Sequence, residues 1–104
     1  MTVIEEIAAE RERQKSAEGW TAEHDDAHRD GSLSRAAAVY AMPHSIREFY
    51  IGRVTGTVLD LVWPIDWGRQ WFKPKDRRRD LIRAGALLVA EIERMDRTAK
   101  KVAA

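Results

Sequence analysis

The chain has no cysteine, only three prolines and six glycines, and apolar stretches no more extended than AGALLVA at 84–90. Without cysteine there is no disulfide, no thiolate zinc site and no cysteine nucleophile. A seven-residue apolar run is far too short to span a bilayer, which needs about 20 residues. A charge of one sign is also missing. Eighteen lysines and arginines face seventeen aspartates and glutamates, a net charge of +1, so no global field draws the chain to nucleic acid. The opening, MTVIEEIAAERER, is acidic and mixed where a secretory leader would be basic and then apolar, and the expectation is a cytoplasmic protein with no membrane partner.

What remains is 104 residues, 44% hydrophobic and 34% charged, enough for one domain with a modest core inside a charged shell. Residues 2–17 read as an amphipathic helix, with Val3, Ile4, Ile7, Ala8 and Arg11 on one side and Glu5, Glu6, Glu10 and Arg13 on the other. Thr2 and Glu5 outline a capping box, and Gly19 stops the helix. Thr21 caps a segment of one or two turns that Asp30-Gly31 closes. Ser32 starts a helix to Pro43 with Leu33, Ala36, Ala37 and Tyr40 on one side.

Residues 44–62 suggest a short helix followed by an extended piece near 52–62, because VTGTVLDLV is β-branched and broken by glycine. Between Trp63 and Pro74, Trp63, Trp67 and Trp71 recur at i, i+4 and i+8, and a helix there would align all three. Asp76 caps the last helix, 77–97, which is apolar nearly all round through Leu81, Ile82, Ala84, Leu87, Leu88, Val89, Ile92 and Met95. Such a pattern predicts the buried central helix, with the tail TAKKVAA frayed. Gly85 sits mid-helix, where a close helix–helix contact would offset its cost. The fold class is therefore mostly α, a compact single-domain helical bundle around a buried C-terminal helix with a short extended segment near 52–62.

Three groups of residues carry chemistry. In His24-Asp25-Asp26-Ala27-His28 two histidines share one helix face with carboxylates between them, the spacing of a zinc hydrolase. The segment is short and polar and lacks a third ligand, so exposed histidines on a capped turn are the plainer reading and no metal is expected. Glu23, Asp25, Asp26 and Asp30 offer oxygen ligands, but not at a calcium-loop spacing. Four tryptophans exceed what so small a core needs, so some rings, Trp20 among them, are candidates to line a groove as well as to fill a core. The basic run Lys73-Pro74-Lys75-Asp76-Arg77-Arg78-Arg79 crowds a helix start whose dipole already favours an anion. Either a phosphate or acidic partner binds there, or the acidic cluster at 23–30 neutralises it.

The strings ERERQ, EGWTAEHDDAH, GSLSRAAAVYA, W-P-x-x-W and WFKPKDRRRDLIRAGALLVAEIERMDR together resemble a family of small phage and prophage proteins, across 9–42 and 63–97. Where that family often has proline after the threonine, this chain has Ala22. A second stretch, EGWTAEHDDAHRDGSLSRAAAVY, is similar to the ryanodine-receptor repeat module at Gly19, Trp20, Asp25, Asp26, Leu33 and Tyr40, without that module's further glycine or its lysine–histidine–proline stretch. This similarity implies a compact helical module that binds a nucleotide-like ligand or a partner and does not catalyse.

The leading expectation is a non-enzymatic binding module, without cofactor, for a phosphate-bearing small molecule such as a nucleotide. Trp20, Asp25 and Asp26 would form one wall, and Trp67, Trp71, Lys73, Lys75 and Arg78 the other. In a phage setting it would sequester a host signal. Two rivals are an adaptor that docks a host protein through an aromatic and basic face, and a metal-dependent hydrolase using the HDDAH segment. Oligomeric state is not legible at this level.

Overall fold

A computed structural model describes residues 1–28 and 30–103. Along the chain these form α1 (Val3–Ala17), α2 (Ala22–Asp26), α3 (Ser32–Ala41), α4 (His44–Arg47), β1 (Tyr50–Gly52), β2 (Gly56–Thr57), α5 (Val58–Val62), a 3-10 turn (Arg69–Trp71) and α6 (Arg77–Ala103). The mostly-α expectation holds, with α6 packed along α3 on one side and α1 on another. The core is small: Trp20, Leu33, Ala36, Ala37, Val39, Tyr40, Leu59, Trp63, Trp67, Ala84, Leu87 and Ala90. The alanines of α3 and α6 let the two backbones approach, and the indoles fill what remains.

Caps place the helix starts. Thr2 and Glu5 form the expected reciprocal box, with Glu5 N donating to Thr2 Oγ1 at 3.1 Å and Thr2 N to Glu5 Oε1 at 2.9 Å. Gly19, at φ +74°, turns the chain out of α1, and Thr21 accepts from His24 N to begin α2. Asp76 Oδ1 accepts from Arg79 N at 2.9 Å and begins α6.

Four expectations need correction. First, 58–62 is helical where an extended chain is expected. Thr57 and Asp60 make a second capping box, Asp60 N to Thr57 Oγ1 at 3.3 Å and Thr57 N to Asp60 Oδ2 at 2.9 Å, and it outweighs the β-branched residues; the extended part is the hairpin at 50–57. Second, 63–73 is not a helix. Trp63 precedes proline and is held extended, Trp67 N closes a tight turn onto Pro64 O, and Trp63 Nε1 donates to Trp67 O at 3.1 Å, an acceptor that a continuous helix would use four residues on. Third, α6 does not fray after 97: it runs to Ala103, and Ala104 lies outside the described residues. Fourth, α6 is not buried all round, and α1 turns polar residues inward. Glu10, Arg11 and Gln14 are enclosed, while Val3, Ile4, Leu81, Leu88, Val89, Ile92 and Met95 are open. Among the described residues no helix is long and apolar enough to cross a membrane.

Candidate functional site

The C-terminal end of α1, the turn of α2 and the loop 66–71 meet around an opening of about 250 Å3. Glu18, Trp20, His24, His28, Asp66, Trp67, Gly68 and Trp71 line it. Each element is fixed from behind. Arg11 reaches from α1 to donate to Trp20 O at 3.0 Å and to Asp25 Oδ2 at 2.6 Å, which ties the Trp20 turn and α2 to the first helix. Trp63 and Trp67 meet edge to face at 5.8 Å, and Trp63 also packs on Tyr40 and Phe72. The Tyr40 hydroxyl accepts from Lys73 N at 2.9 Å, Arg83 donates to Lys73 O, and Lys75 N donates to Asp80 Oδ1 at 2.7 Å. A segment with little regular structure is thereby held in one place. Burial is the first cause that pushes the Tyr40 hydroxyl above its ordinary pKa of 10.0.

Within the opening Trp20 and Trp67 lie 5.4 Å apart at 48°, His24 lies nearly parallel to Trp20 at 6.1 Å, and Trp67 stands edge-on to His28 at 5.3 Å. Trp67 Nε1 donates to His28 Nδ1 at 3.4 Å, so that nitrogen presents a lone pair and the ring proton sits on Nε2. The His24 Nδ1 atom lies 3.1 Å from Asp25 Oδ1, which can only accept, so His24 carries a proton there. Asp66 Oδ2 lies 3.8 Å from His28 Nδ1, beyond direct hydrogen bonding, and that nitrogen already accepts from Trp67. Glu18 is nearly enclosed between Arg13 at 3.3 Å and Lys73 Nζ at 3.4 Å. Lys73 also lies 5.2 Å from the Trp71 ring and so adjoins two of the lining residues. The result is an aromatic slot with carboxylate acceptors inside and a cation beside it.

Of the residues expected to form two walls, the structure brings together Trp20, Trp67, Trp71 and Lys73. The other four go elsewhere. Asp25 is fully enclosed by Arg11 and His24, and Asp26 is taken by Arg97 at 2.8 Å with Lys101 at 3.9 Å. Lys75 lines a second cleft, of about 310 Å3, with His44, Arg47, Arg77 and Asp80. Arg78 spans to Glu6 of α1 through two bonds of 2.8 and 2.5 Å. The basic run is neutralised internally in part, but by α1 rather than by the acidic cluster at 23–30. Arg79 reaches Glu10, and the Arg78 pairing is the first cause that lowers the Glu6 pKa.

Glu18, His24, His28 and Asp66 were absent from the expected walls. The i, i+4 spacing of the histidines was the available signal, since it puts both rings on one side of α2, 4.6 Å apart. Among the described residues no group of three or more histidine, aspartate or glutamate side chains is arranged to hold a metal ion. No family model matches the chain, and no curated protein or solved structure is similar enough to it to count as a match.

Proposed function

We propose that this chain is a non-enzymatic binding module for a phosphate-bearing small molecule with a planar nitrogen heterocycle, a nucleotide being the leading case. One observation carries the reading: Trp20, Trp67 and Trp71 surround an opening whose other lining side chains are histidines and carboxylates. Rings stack on indole faces, and each stacked base is worth about 1–3 kcal/mol. Glu18 and Asp66 accept hydrogen bonds from the amino and ring N–H groups of a base. The same carboxylates repel phosphate, so the phosphate stays outside, beside Lys73. At about 250 Å3 the opening falls just below the usual range of ligand pockets, about 300–1,000 Å3, which suits a base more than a whole nucleotide. The enclosure of Asp25 and the pairing of Asp26 with Arg97 favour binding over the hydrolase alternative, because both carboxylates of the HDDAH segment are committed to arginines. In a phage setting the module would sequester a host signal, a part of the reading that rests on sequence resemblance.

A thermal-shift panel of purine and pyrimidine nucleosides, their monophosphates and inorganic phosphate tests this. A ligand that binds only the native state, at 100 times its Kd, adds about 2.7 kcal/mol of stability. Monophosphates should raise the Tm most, nucleosides less, and inorganic phosphate little. Lys73→Glu should erase the difference between nucleotide and nucleoside and leave nucleoside binding in place. A panel in which only inorganic phosphate acts, or nothing does, overturns the reading.

A further inference from the structure

Helix α6 is apolar on its outer face as well as on its inner one, where Ile82, Ala84, Ala86, Leu87 and Ala90 are buried. Between Asp80 and Met95 the exposed side chains are Leu81, Leu88, Val89 and Ile92, ending in Met95 itself, and all are apolar. The charged residues of the same stretch find partners: the buried Arg83 on Lys73 O, Glu91 on Arg94, and the half-exposed Glu93 on Arg11. Helix α1 is inverted, with Glu10, Arg11 and Gln14 enclosed and Ile4 74% exposed. Ile4, Leu81, Leu88, Val89, Ile92 and Met95 together leave on the order of 600 Å2 of apolar surface open. That equals the largest patch a typical monomer shows and approaches the ~800 Å2 per partner of a stable interface.

The spacing says what covers it. Leu81, Gly85, Leu88, Ile92, Met95 and Ala99 follow one another at four, three, four, three and four residues, the alternation of a coiled-coil seam. On a helix of 27 residues this seam, from Leu81 to Ala99, is about 27 Å long. Laid antiparallel on itself about a two-fold axis between Leu88 and Ile92, it sets Leu88 against Ile92, Leu81 against Ala99 and Met95 against Gly85. Each small residue then meets a large one. Gly85 also lies in the α1–α6 groove, against Ile7; this opening of about 320 Å3 is lined by Ile4, Ile7, Ala8 and Val89, with Arg11, Glu12, Lys15 and Glu93 along it. No charged residue occupies the seam between Leu81 and Met95. A closed two-fold interface needs a patch that is its own complement, and this one is.

We infer that two copies of this chain pair antiparallel through the open face of α6 and the adjoining edge of α1. The tryptophan pocket is built from other residues and stays open in the pair, so the pairing and the ligand reading stand or fall separately.

Sedimentation and light scattering of the full chain at tens of micromolar should give twice its mass of 11.9 kDa. Leu88→Glu with Ile92→Glu should return the single-chain mass, a loss of affinity of at least about a hundredfold, with helical circular dichroism unchanged because both side chains are exposed in the single chain. The absence of native cysteine allows a register test. A chain carrying both Leu81→Cys and Ala99→Cys should form a covalent pair with a short thiol cross-linker, and neither single variant should link to itself. A single-chain mass for the unaltered protein, or a pair that survives Leu88→Glu/Ile92→Glu, overturns the proposal; the first outcome would assign the face to a helix of another protein. A single cysteine variant that links to itself, or a double variant that does not link, overturns the antiparallel register.

Discussion

Asp25 and Asp26 are neighbours in sequence with opposite fates, and substituting each in turn tests whether burial decides their worth. The Asp25 side chain is 0% exposed and that of Arg11 5%, with Nη2 to Oδ2 at 2.6 Å. Asp25→Ala strips the guanidinium of this partner in a place where water cannot replace it. Breaking a buried pair from one side costs about 3–5 kcal/mol. Arg11 keeps Trp20 O at 3.0 Å and Glu93 at 3.2 Å, which argues for the lower end, about 3 kcal/mol. For a domain of this size that lowers the Tm by roughly 12–15 °C. Asp26 and Arg97 are 25% and 30% exposed, so Asp26→Ala should cost at most about 1 kcal/mol. Urea unfolding followed by tryptophan fluorescence measures both. Arg11→Met combined with Asp25→Leu should recover part of the loss, because an apolar pair of similar volume leaves no buried charge unpaired, although Trp20 O loses its donor. Equal costs for the two aspartates, or a double variant as unstable as Asp25→Ala, would refute the reasoning.

Three further outcomes follow from the packing. Gly85→Leu should cost about 1–3 kcal/mol in the same assay, since even a Cβ there meets Ile7 Cδ1 at 3.0 Å, whereas Gly85→Ala should come out near zero as its helix preference offsets the crowding. Burial alone would raise the Glu10 pKa, but Arg13 and Arg79 more than reverse this and hold it below the ordinary 4.5. Its contribution is then fully present above that value and lost as the pH falls through the lowered one. The urea midpoint should accordingly drop below about pH 4.5, and Glu10→Gln should flatten that part of the profile. Trp67→Ala should abolish nucleoside binding and also cost about 3–5 kcal/mol, so binding is compared by calorimetry at a temperature where circular dichroism shows the variant folded.

Helix ends were the most legible part of the sequence because caps are local: Thr2 with Glu5, Gly19, Thr21 and Asp76 each act within three or four residues. The same grammar was present in Thr57 and Asp60, where β-branched neighbours masked it. Periodicity located α6 but could not orient it, since a helix that is apolar nearly all round has no obvious outer face. The polar face of α1 misled for a related reason. Glu10 and Arg11 become core residues because Arg79 comes from far along the chain, and Trp20 and Asp25 from beyond the Gly19 turn, to meet them. The tryptophans were identified as groove candidates by number, and three of them do line an opening. Their carboxylate neighbours, Glu18 and Asp66, were hidden because neither belongs to a motif. Lys75 and Arg78 looked like companions of Lys73 along the chain, yet the turn into α6 sends them to different surfaces.

The central claim is that the tryptophan pocket receives a base, and the four indole N–H resonances in a nitrogen–proton correlation spectrum report on it directly. On titration with a nucleoside monophosphate, the signals of Trp67 and Trp71 should move together and saturate. That of Trp63, which donates to Trp67 O behind the pocket, should stay close to its place. Four signals that remain still at millimolar ligand, or that all drift without saturating, would contradict the account.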